Sequence, residues 1–447
     1  MEKKNVRVAV IGTGIAGLGA AWALQRRHAV TVYEAEPRIG GHSHTVTVPL
    51  PRGEVAVDTG FMVYNERTYP LLTKLFAALD VPTTPTSMSF SASIADGSLE
   101  YGGGSLRALL AQRMNLLNPS FVRMLLDIVR FNRTGLRFLA QAGGDDLTLG
   151  EFLDRHGFRR GLGEWHLLPM AAAVWAAPAA RMLDYPARSF LSFFANHGLL
   201  SIYGHHAWRT VVGGSRSYVE RMVRGLGPRI RPATPVRGLR RWPWGVEVSD
   251  GHGERSRFDH VVLACHADQA LALLEDATPR ERALLGAFPY QANRAVVHRD
   301  PVLMPRRRPV WSSWNYLAQR RTANAARVSV TYWMNSLQHL PCAENVFVSL
   351  NPLREPDPRL VHAEIDYAHP TFDHGAVRAQ GRMDEIQGAG GVWYCGAWLG
   401  HGFHEDGLRA GLAVARRLGA LPPWEAPPAP VLSGTTGFPE GAAAIPS

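Results

Sequence analysis

The sequence predicts an α/β fold in which a parallel-sheet domain is interleaved with a second, α+β domain. An apolar run at 6–11 leads into three glycines within 12–17, a helical stretch follows, and a second apolar run covers 30–33. That order of strand, glycine loop, helix and strand is typical of a Rossmann-like βαβ unit. At 447 residues the chain is long for one domain, and 266–385 is rich in predicted strands, so a second domain is expected.

The glycine loop has the spacing G-x-G-x-x-G, and each glycine has a separate physical task. Gly12 permits the tight turn, Gly14 lets backbone approach a pyrophosphate, and Gly17 lets the helix pack on the strand. The N-terminus of the helix offers unpaired N–H groups to the phosphates. The predicted pyrophosphate contacts are therefore Gly12, Gly14, Ile15, Ala16 and Gly17.

An acidic residue ends the second strand, where a nucleotide ribose is expected. Glu34 lies twenty-two positions after Gly12, and its carboxylate is placed to accept hydrogen bonds from ribose hydroxyls, with Ala35 beside it. A carboxylate would repel a 2′-phosphate, so the nucleotide is FAD or NAD.

Two further segments of the sequence distinguish between FAD and NAD. The run Arg38-Ile39-Gly40-Gly41-His42 follows Glu34, and Arg38 can reach a phosphate. Near the other end, an apolar strand at 392–395 ends at Gly396, a polar loop covers 401–407, and a small-residue helix is predicted from 408 to 418. Together these segments resemble the flavin amine oxidase and phytoene desaturase superfamily, in which both halves bind one FAD.

The resemblance implies a glutathione-reductase-type FAD domain of the amine oxidase branch. By this resemblance FAD is also contacted by Arg38, Gly40, Gly41, His42, Ser43, Asp58, Gly60 and Phe61, by the Val236 backbone at the adenine, and by Gly396, Asp406, Gly407 and Leu408. The implied FAD domain comprises 1–95, 206–265 and 386–420. The substrate domain comprises 96–205 and 266–385, and 421–447 is a Pro-, Ala- and Gly-rich flexible tail.

Two histidine-containing loops, at 42–44 and 401–404, and the predicted strand at 290–297 limit the reactions that are expected. His404 and Glu405 are the candidate catalytic residues, although helix capping is an alternative for Glu405. The pairs at 42/44 and 401/404 lie inside flavin motifs with no cysteine nearby, so no metal site is predicted. Amine oxidases of the superfamily hold a lysine near the flavin, and the corresponding strand at 290–297 has none.

Three runs, at 41–44, 58–61 and 404–407, resemble more closely a bacterial branch of the superfamily whose members tend to accompany fatty-acyl-modifying enzymes. The expected function is therefore an FAD-dependent oxidoreductase that abstracts hydride from an apolar, fatty-acyl or lipid substrate, as a desaturase does. The alternatives are an amine oxidase, a redox-neutral fatty-acid double-bond isomerase, and a non-catalytic lipid carrier on the same fold.

Composition sets the expected location and partners. Three cysteines give no disulfide framework, which favours the cytoplasm, and no apolar run is long enough to span a bilayer. The net charge is +10, but no nucleic-acid partner is expected. Arginines alternate with apolar residues along 105–140, which predicts helices that cap the substrate domain or contact an anionic membrane at its inner face.

Overall fold

A computed structural model describes residues 5–141, 146–158, 160–175, 182–200, 207–319 and 328–425. The strands, numbered in chain order, are β1 Arg7–Ile11, β2 Ala29–Tyr33, β3 Thr45–Leu50, β4 Gly53–Asp58, β5 Tyr64–Asn65, β6 Thr83–Thr86, β7 Phe90–Ile94, β8 Leu99–Gly102, β9 Trp208–Val211, β10 Ile230–Arg231, β11 Val236–Trp242, β12 Gly245–Asp250, β13 Arg255–Phe258, β14 His260–Leu263, β15 Tyr290–His298, β16 Trp314–Ala318, β17 Val328–Trp333, β18 Phe347–Leu350, β19 Val361–Pro370 and β20 Val392–Tyr394.

The α-helices in the described residues are α1 Ile15–Leu24, α2 Pro70–Ala78, α3 Leu106–Leu109, α4 Pro119–Ala140, α5 Leu149–Arg155, α6 Arg160–Leu162, α7 Leu168–Trp175, α8 Ala187–Asn196, α9 Arg216–Arg224, α10 Ala267–Leu273, α11 Pro279–Leu285, α12 Met334–Leu337, α13 His374–Gln380 and α14 His404–Arg417. Short 3-10 turns cover Arg113–Leu117, Gly227–Arg229, Pro301–Leu303, Arg308–Val310, Pro358–Leu360, Met383–Glu385, Ala389–Gly391 and Ala397–Leu399, and a π-helical turn covers Gly163–Leu167. None of the helices within these ranges has the length and apolar character needed to cross a membrane.

Five parallel strands form the first sheet, in the order β10-β2-β1-β14-β20. β1 lies in the middle, hydrogen-bonded to β2 on one side and β14 on the other. Val8 and Val10 on one face, and Ala9 on the other, are fully buried, as expected for a parallel strand that is covered on both faces. The predicted α/β class, with its Rossmann-like unit, is confirmed.

Helices α1 and α14 pack directly on one another and so join segments that are far apart in the sequence. A Cβ atom at Gly411 would lie 2.1 Å from the backbone oxygen of Ala16, and one at Gly19 would lie 2.7 Å from the Leu408 side chain. At the end of the helix pair, the Arg27 guanidinium donates a 2.8 Å hydrogen bond to the carbonyl of a residue 392 positions later, Gly419. The opening and closing segments therefore meet in space.

Seven strands form the second large sheet, in the order β19-β15-β18-β17-β16-β7-β8. All neighbours are antiparallel except β16 and β7. β7, at 90–94, pairs within this sheet, whereas the predicted first FAD segment extends to residue 95. The domain boundaries stay predictions.

Three smaller sheets complete the described strands. β9 pairs with β5 and β6 and not with the parallel sheet, and all three strands lie within the segments predicted for the FAD domain. β3 pairs with β4, and β11, β12 and β13 form an antiparallel sheet.

The closing segment differs from the prediction at both of its ends. α14 begins at His404, four residues earlier than predicted, so the polar run at 404–407 is its first turn. After the helix, Trp424 stacks on Trp22 at 5.7 Å, and Glu425 forms an ion pair of 2.6 Å with Arg416. Packing therefore extends to residue 425, and the rest of the predicted tail, 426–447, lies outside the described residues.

Candidate functional site

The carboxyl ends of four parallel strands open onto one cavity of about 450 Å³. Gly12, Glu34, Ala264 and Gly396 follow β1, β2, β14 and β20, and all four line it. The opposite wall is formed by the seven-stranded sheet. In open α/β sheets, ligands bind at the carboxyl ends of the strands, so this is the expected place for a nucleotide.

The structure places part of the predicted set on the cavity wall. These residues are Gly12, Gly14, Ile15, Ala16, Glu34, Gly41, His42, Gly60, Phe61, Gly396 and His404. The remaining predicted residues do not line the cavity: Gly17, Ala35, Arg38, Gly40, Ser43, Asp58, Val236, Glu405, Asp406, Gly407 and Leu408.

The three loop glycines meet three different surroundings. Gly12 has a φ of +104°, which L side chains rarely adopt, and a Cβ there would lie 2.9 Å from the Ala264 oxygen. A Cβ at Gly17 would lie 2.0 Å from the Gly12 oxygen, so Gly17 serves helix packing. A Cβ at Gly14 would meet no atom within 4 Å. The space at Gly14 is open on the side of the cavity, where a pyrophosphate is expected.

Glu34 is held at the nucleotide end of the cavity by the glycine loop itself. One carboxylate oxygen accepts hydrogen bonds from the Thr13 backbone N–H, at 2.9 Å, and from the Thr13 hydroxyl. The other accepts from the Glu36 N–H at 3.0 Å. A carboxylate fixed in this way can accept hydrogen bonds from ribose hydroxyls through its remaining lone pairs.

The segment 38–43 supports the glycine loop from behind. The Arg38 guanidinium donates a 2.8 Å hydrogen bond to the Gly41 oxygen and longer ones, of 3.5 Å, to the Ile39 and Ser43 oxygens. A Cβ at Gly41 would lie 2.9 Å from the Gly14 Cα. Arg38 thus folds the segment against the loop, and its phosphate contact stays a prediction.

His42 brings an unpartnered polar atom to the cavity wall. Its Nε2 atom is buried without a hydrogen-bond partner, and its ring stacks on Tyr367 with the centroids 4.8 Å apart. Burial lowers the pKa of His42 well below its usual value, so the imidazole is neutral at physiological pH. A buried nitrogen in this state is suited to a hydrogen bond from or to a bound cofactor.

His404 lines the cavity, but its Nε2 atom is already occupied. That atom shares hydrogen bonds with the Tyr218 hydroxyl, at 2.8 Å, and with the Ser43 hydroxyl, at 3.0 Å, and Tyr218 and Ser43 also bond to each other. The ring stacks on Phe61 with centroids 3.9 Å apart. Burial lowers the pKa of His404 to about 3. The predicted catalytic role for His404 is therefore limited to presenting a fixed, neutral ring.

Glu405 is directed away from the cavity, which corrects its predicted catalytic role. Its two carboxylate oxygens accept hydrogen bonds of 3.0 Å from the Leu71 and Leu72 backbone N–H groups, at the N-terminus of α2. Asp406 accepts from the His401 and Phe403 N–H groups and so holds the loop before its own helix. Both side chains bind unpaired N–H groups at helix starts.

Asp58 lies behind the wall and joins three parts of the chain. It accepts hydrogen bonds from the hydroxyls of Thr45 and Ser215, from the Ser215 N–H, and from the Gln338 amide. Burial raises its pKa to about 6. With its acceptor sites used by protein donors, Asp58 has a structural role and not the predicted cofactor contact.

Sequence reasoning placed β15 near the flavin but missed the contribution of β19 to the cavity. His369 lines it, and its Nδ1 atom accepts a 2.8 Å hydrogen bond from the Asn293 amide, which also donates to the Gln291 oxygen. This network leaves the His369 proton on Nε2. Burial lowers the pKa of His369 to about 4. The alternating pattern of 361–370 could have indicated the strand, but the neighbour of each side chain depends on register.

The wall around the glycine loop has the features that a dinucleotide cofactor requires. It offers open space at Gly14, an acidic side chain at the end of β2, an unpartnered nitrogen at His42 and the N-terminus of α1. Within the described residues, no group of three or more His, Cys, Asp or Glu side chains could hold a metal ion.

Solved structures with the same fold include three enzymes. A cyclohexylamine oxidase from Brevibacterium oxydans IH-35A is 18% identical, with a TM-score of 0.68 over 93% of this chain and 98% of that one. A putrescine oxidase bound to putrescine is 16% identical, with a TM-score of 0.65 over 93% and 99%. A CLA-producing fatty acid isomerase from P. acnes is 15% identical, with a TM-score of 0.65 over 93% and 99%. These likenesses show the fold alone.

The family model of flavin-containing amine oxidoreductases matches residues 15–296, which is more than half of the chain. This match agrees with the dinucleotide-binding features of the cavity wall. We conclude from it that the protein is an FAD-dependent oxidoreductase. The chain belongs to the flavin-containing amine oxidoreductase family.

Proposed function

We propose that this enzyme removes a hydride from an apolar, fatty-acyl substrate and leaves a new carbon–carbon double bond. The observation that supports the proposal is the composition of the cavity wall facing the glycine loop. Most of the side chains there are large and apolar or aromatic, and they include Met88, Phe90, Met170, Val174, Trp208, Trp314, Tyr332 and Leu350. A wall of this kind favours an acyl chain, because burying apolar surface supplies binding energy without charged partners.

The charges on the wall support the same proposal. Glu34, at the nucleotide end, is the one carboxylate among the lining residues of the described ranges, and none of those residues is a lysine or arginine. Burying a protonated amine at the apolar end would leave its charge without a partner, which is costly. The superfamily lysine is also absent from β15. Amine oxidation therefore has less support than oxidation of an uncharged chain.

Desaturation needs few protein groups, and the cavity supplies them. When bound, FAD accepts the hydride and passes the electrons to an acceptor such as dioxygen or a quinone. The neighbouring carbon loses a proton, for which the cavity offers neutral imidazoles. The Nε2 atom of His42 has no partner and can accept it, whereas His369 keeps its Nδ1 bonded to Asn293 and offers an N–H. The apolar wall orients the chain and excludes water.

Anaerobic titration tests the proposal. Purified holoprotein is mixed without oxygen with oleic acid, dioleoyl phosphatidylcholine or a set of primary amines, and the flavin absorption band is recorded. We expect bleaching with the lipids and a product that has lost two hydrogens by mass spectrometry. Product of unchanged mass with a shifted double bond would assign isomerisation. Bleaching by amines but by no lipid would overturn the proposal.

A variant of the apolar wall separates substrate binding from cofactor binding. Met170→Trp adds bulk to a side chain that lines the cavity away from the glycine loop. We expect it to raise KM for long acyl substrates while the flavin spectrum stays unchanged. Val302→Trp, at a residue that is 42% exposed and does not line the cavity, is the matched control and leaves KM unchanged.

A further inference from the structure

We propose that the face formed by residues 106–137 is a docking surface for an anionic lipid bilayer. This face, called here the arginine–leucine face, comprises α3, the 3-10 turn Arg113–Leu117 and the outer side of α4. It does not depend on the substrate proposed above, because it rests on the surface of the protein and not on the cavity.

Exposed apolar side chains concentrate on the arginine–leucine face. Of the thirteen large hydrophobic residues that are exposed in the described part of the chain, eight lie between 106 and 136. The most exposed are Leu106 at 75%, Leu117 at 74% and Met114 at 69%. Single exposed apolar residues are normal on a protein surface, but a contiguous group marks an interaction site.

The spacing along α4 separates an inner apolar face from an outer one. Phe121, Met124, Phe131 and Phe138 are buried, and they recur with the helical period. The outer row, at 122, 126, 129, 133 and 136, holds Val, Leu, Val, Arg and Leu at spacings of three and four. A helix that packs on the protein through one side needs only that side to be apolar, so the outer leucines remain available to a second apolar environment.

The positive charge of the arginine–leucine face indicates which apolar environment it contacts. Between 103 and 141 the chain has six arginines (107, 113, 123, 130, 133 and 137), and Asp127 is its one acidic residue. The Asp127 side chain is only 2% exposed and pairs with Arg123 and Arg130, at 3.4 Å each. The other four arginines form no ion pair with any residue in the described ranges. Apolar side chains ringed by unpaired arginines fit the interface of a bilayer with acidic headgroups.

A second copy of the chain fits this face less well. Two copies packed through it would bring arginines against arginines, and like charges at close range are repulsive. Acidic headgroups would instead neutralise the arginines while the leucines enter the acyl boundary. The charge therefore favours lipid over self-association.

The inner face of α4 and part of the cavity wall belong to one packed cluster. Phe121 and Met124, on the inner face of α4, belong to the same packed cluster as Met88 and Phe90, which line the cavity. The arginine–leucine face is therefore the outer surface of a helix whose inner side chains pack in the cluster that reaches the cavity wall.

Vesicle flotation tests the proposal with the full-length holoprotein. Vesicles of phosphatidylcholine alone are compared with vesicles in which about a third of the lipid is phosphatidylglycerol, a fraction that gives a strongly negative surface. We expect binding to the anionic vesicles and a marked loss of binding when salt is raised, because screening weakens surface electrostatics.

Two double variants assign the binding to this face. Arg113→Glu with Arg133→Glu reverses charge at exposed positions, and Leu117→Gln with Leu126→Gln removes exposed apolar groups. We expect each pair to weaken binding to anionic vesicles roughly tenfold or more. The matched controls, Arg52→Glu and Val302→Gln, lie at exposed positions outside the face and leave binding unchanged. Circular dichroism and flavin content verify that all variants fold.

Three outcomes would overturn the proposal. The first is no binding to either vesicle, and the second is equal binding to both. The third is binding that survives both double variants. If vesicles do not bind and light scattering shows a dimer that the leucine variants dissociate, a second copy covers the face.

Discussion

Glycines that look equivalent in the sequence differ in what surrounds them. Gly12 and Gly17 are fixed by nearby backbone oxygens, whereas a side chain at Gly14 would enter open space. The fold therefore requires glycine at positions 12 and 17, whereas a bound ligand requires it at position 14. This separation allows folding and cofactor binding to be tested independently.

Gly14→Ala is expected to leave folding intact and to weaken FAD binding. The backbone at Gly14 has a φ of −62°, which alanine adopts readily, and the added methyl group meets no protein atom. It would instead occupy space next to the pyrophosphate, so affinity should fall about tenfold or more, which corresponds to about 1.4 kcal/mol. Titration of apoprotein with FAD, followed by flavin fluorescence, measures the change.

Gly17→Ala is the control for that experiment. Its Cβ would lie 2.0 Å from the Gly12 oxygen, so it should lower the free energy of unfolding of the apoprotein as well as FAD retention. Equal FAD affinity in Gly14→Ala and the unaltered protein would show that the pyrophosphate does not lie at Gly14.

Glu405→Ala is expected to destabilise the protein without changing the chemical step. It would leave the Leu71 and Leu72 N–H groups buried without acceptors, at a cost of about 2–4 kcal/mol in urea denaturation. Glu405→Gln keeps one acceptor oxygen and should cost less. A large fall in the rate of anaerobic flavin reduction by substrate in Glu405→Gln, with stability unchanged, would restore a catalytic role.

The sequence predicted the residues at the nucleotide-binding end of the cavity better than those at the end where the substrate reacts. Gly12, Gly14 and Glu34 are specified by local spacing, and all three line the cavity. Asp58 and Glu405 were assigned to the site because they lie in its motifs. Apart from Thr45, thirteen positions before Asp58, their hydrogen-bond donors come from residues 157 to 334 positions away, and no local pattern shows such contacts.

At the level of elements, one helix pair joins the two halves of the cofactor site. α1 carries the glycine loop and α14 begins beside the cavity, and they approach closely because Gly19 and Gly411 have no side chains. The position of the cofactor loops relative to one another therefore depends on this contact.

Gly411→Ala is expected to separate the two helices. Its Cβ would lie 2.1 Å from the Ala16 oxygen, and backbone on both sides gives little freedom to relax. We expect a loss of about 1–3 kcal/mol in the free energy of unfolding, typical of overpacking, together with faster release of FAD. Thermal denaturation and the rate of flavin loss on dilution measure both effects.

Ala413→Leu is the matched control on the same helix. Residue 413 is exposed, and leucine is a good helix former, so stability and FAD release should not change. If Gly411→Ala behaved like this control, close contact between α1 and α14 would not matter for the site.

The sequence predicted elements well where a strand or helix is strongly apolar, and less well at their ends. β1, β2, β15 and β20 were all identified, but α14 was started at Leu408 because the polar run 404–407 was interpreted as a loop. Those polar side chains bond to backbone N–H groups of α2 and of the preceding loop, and so they belong to a helix start. Which sheet β9 joins depends on long-range pairing, which local pattern does not report.

Across the whole molecule, buried histidines make stability depend on pH. Burial lowers the pKa values of His44, His166, His298 and His369 to about 4, and that of His404 to about 3. In the unfolded chain a histidine titrates near its usual value of about 6.5. The unfolded state therefore binds more protons between about pH 4 and 6.5, and stability is lost as pH falls through that window.

The free energy of unfolding should fall by several kcal/mol between pH 7 and pH 5. Each histidine that protonates on unfolding contributes up to about 1.4 kcal/mol per pH unit. Asp58, with a pKa raised to about 6, binds a proton in the folded state and offsets part of this loss. Urea denaturation at a series of pH values measures the slope.

His298→Gln provides a check on the origin of this slope. His298 is buried beside Ser349 and does not line the cavity. Its removal should therefore reduce the number of protons taken up on unfolding by about one, without affecting FAD binding. A free energy of unfolding that stays constant from pH 7 to 5 would contradict the neutral state of these histidines.

The order of strands in the parallel sheet also governs when the site can exist during synthesis. Its central strand comes from residues 7–11 and its edge strand from 392–394, and Ser43 bonds to a side chain 361 positions later. In a nascent chain on the ribosome, β14 therefore lacks its partner β20 until translation has passed that last strand. Flavin loading is consequently expected late in synthesis, after the apolar strands of the sheet have emerged.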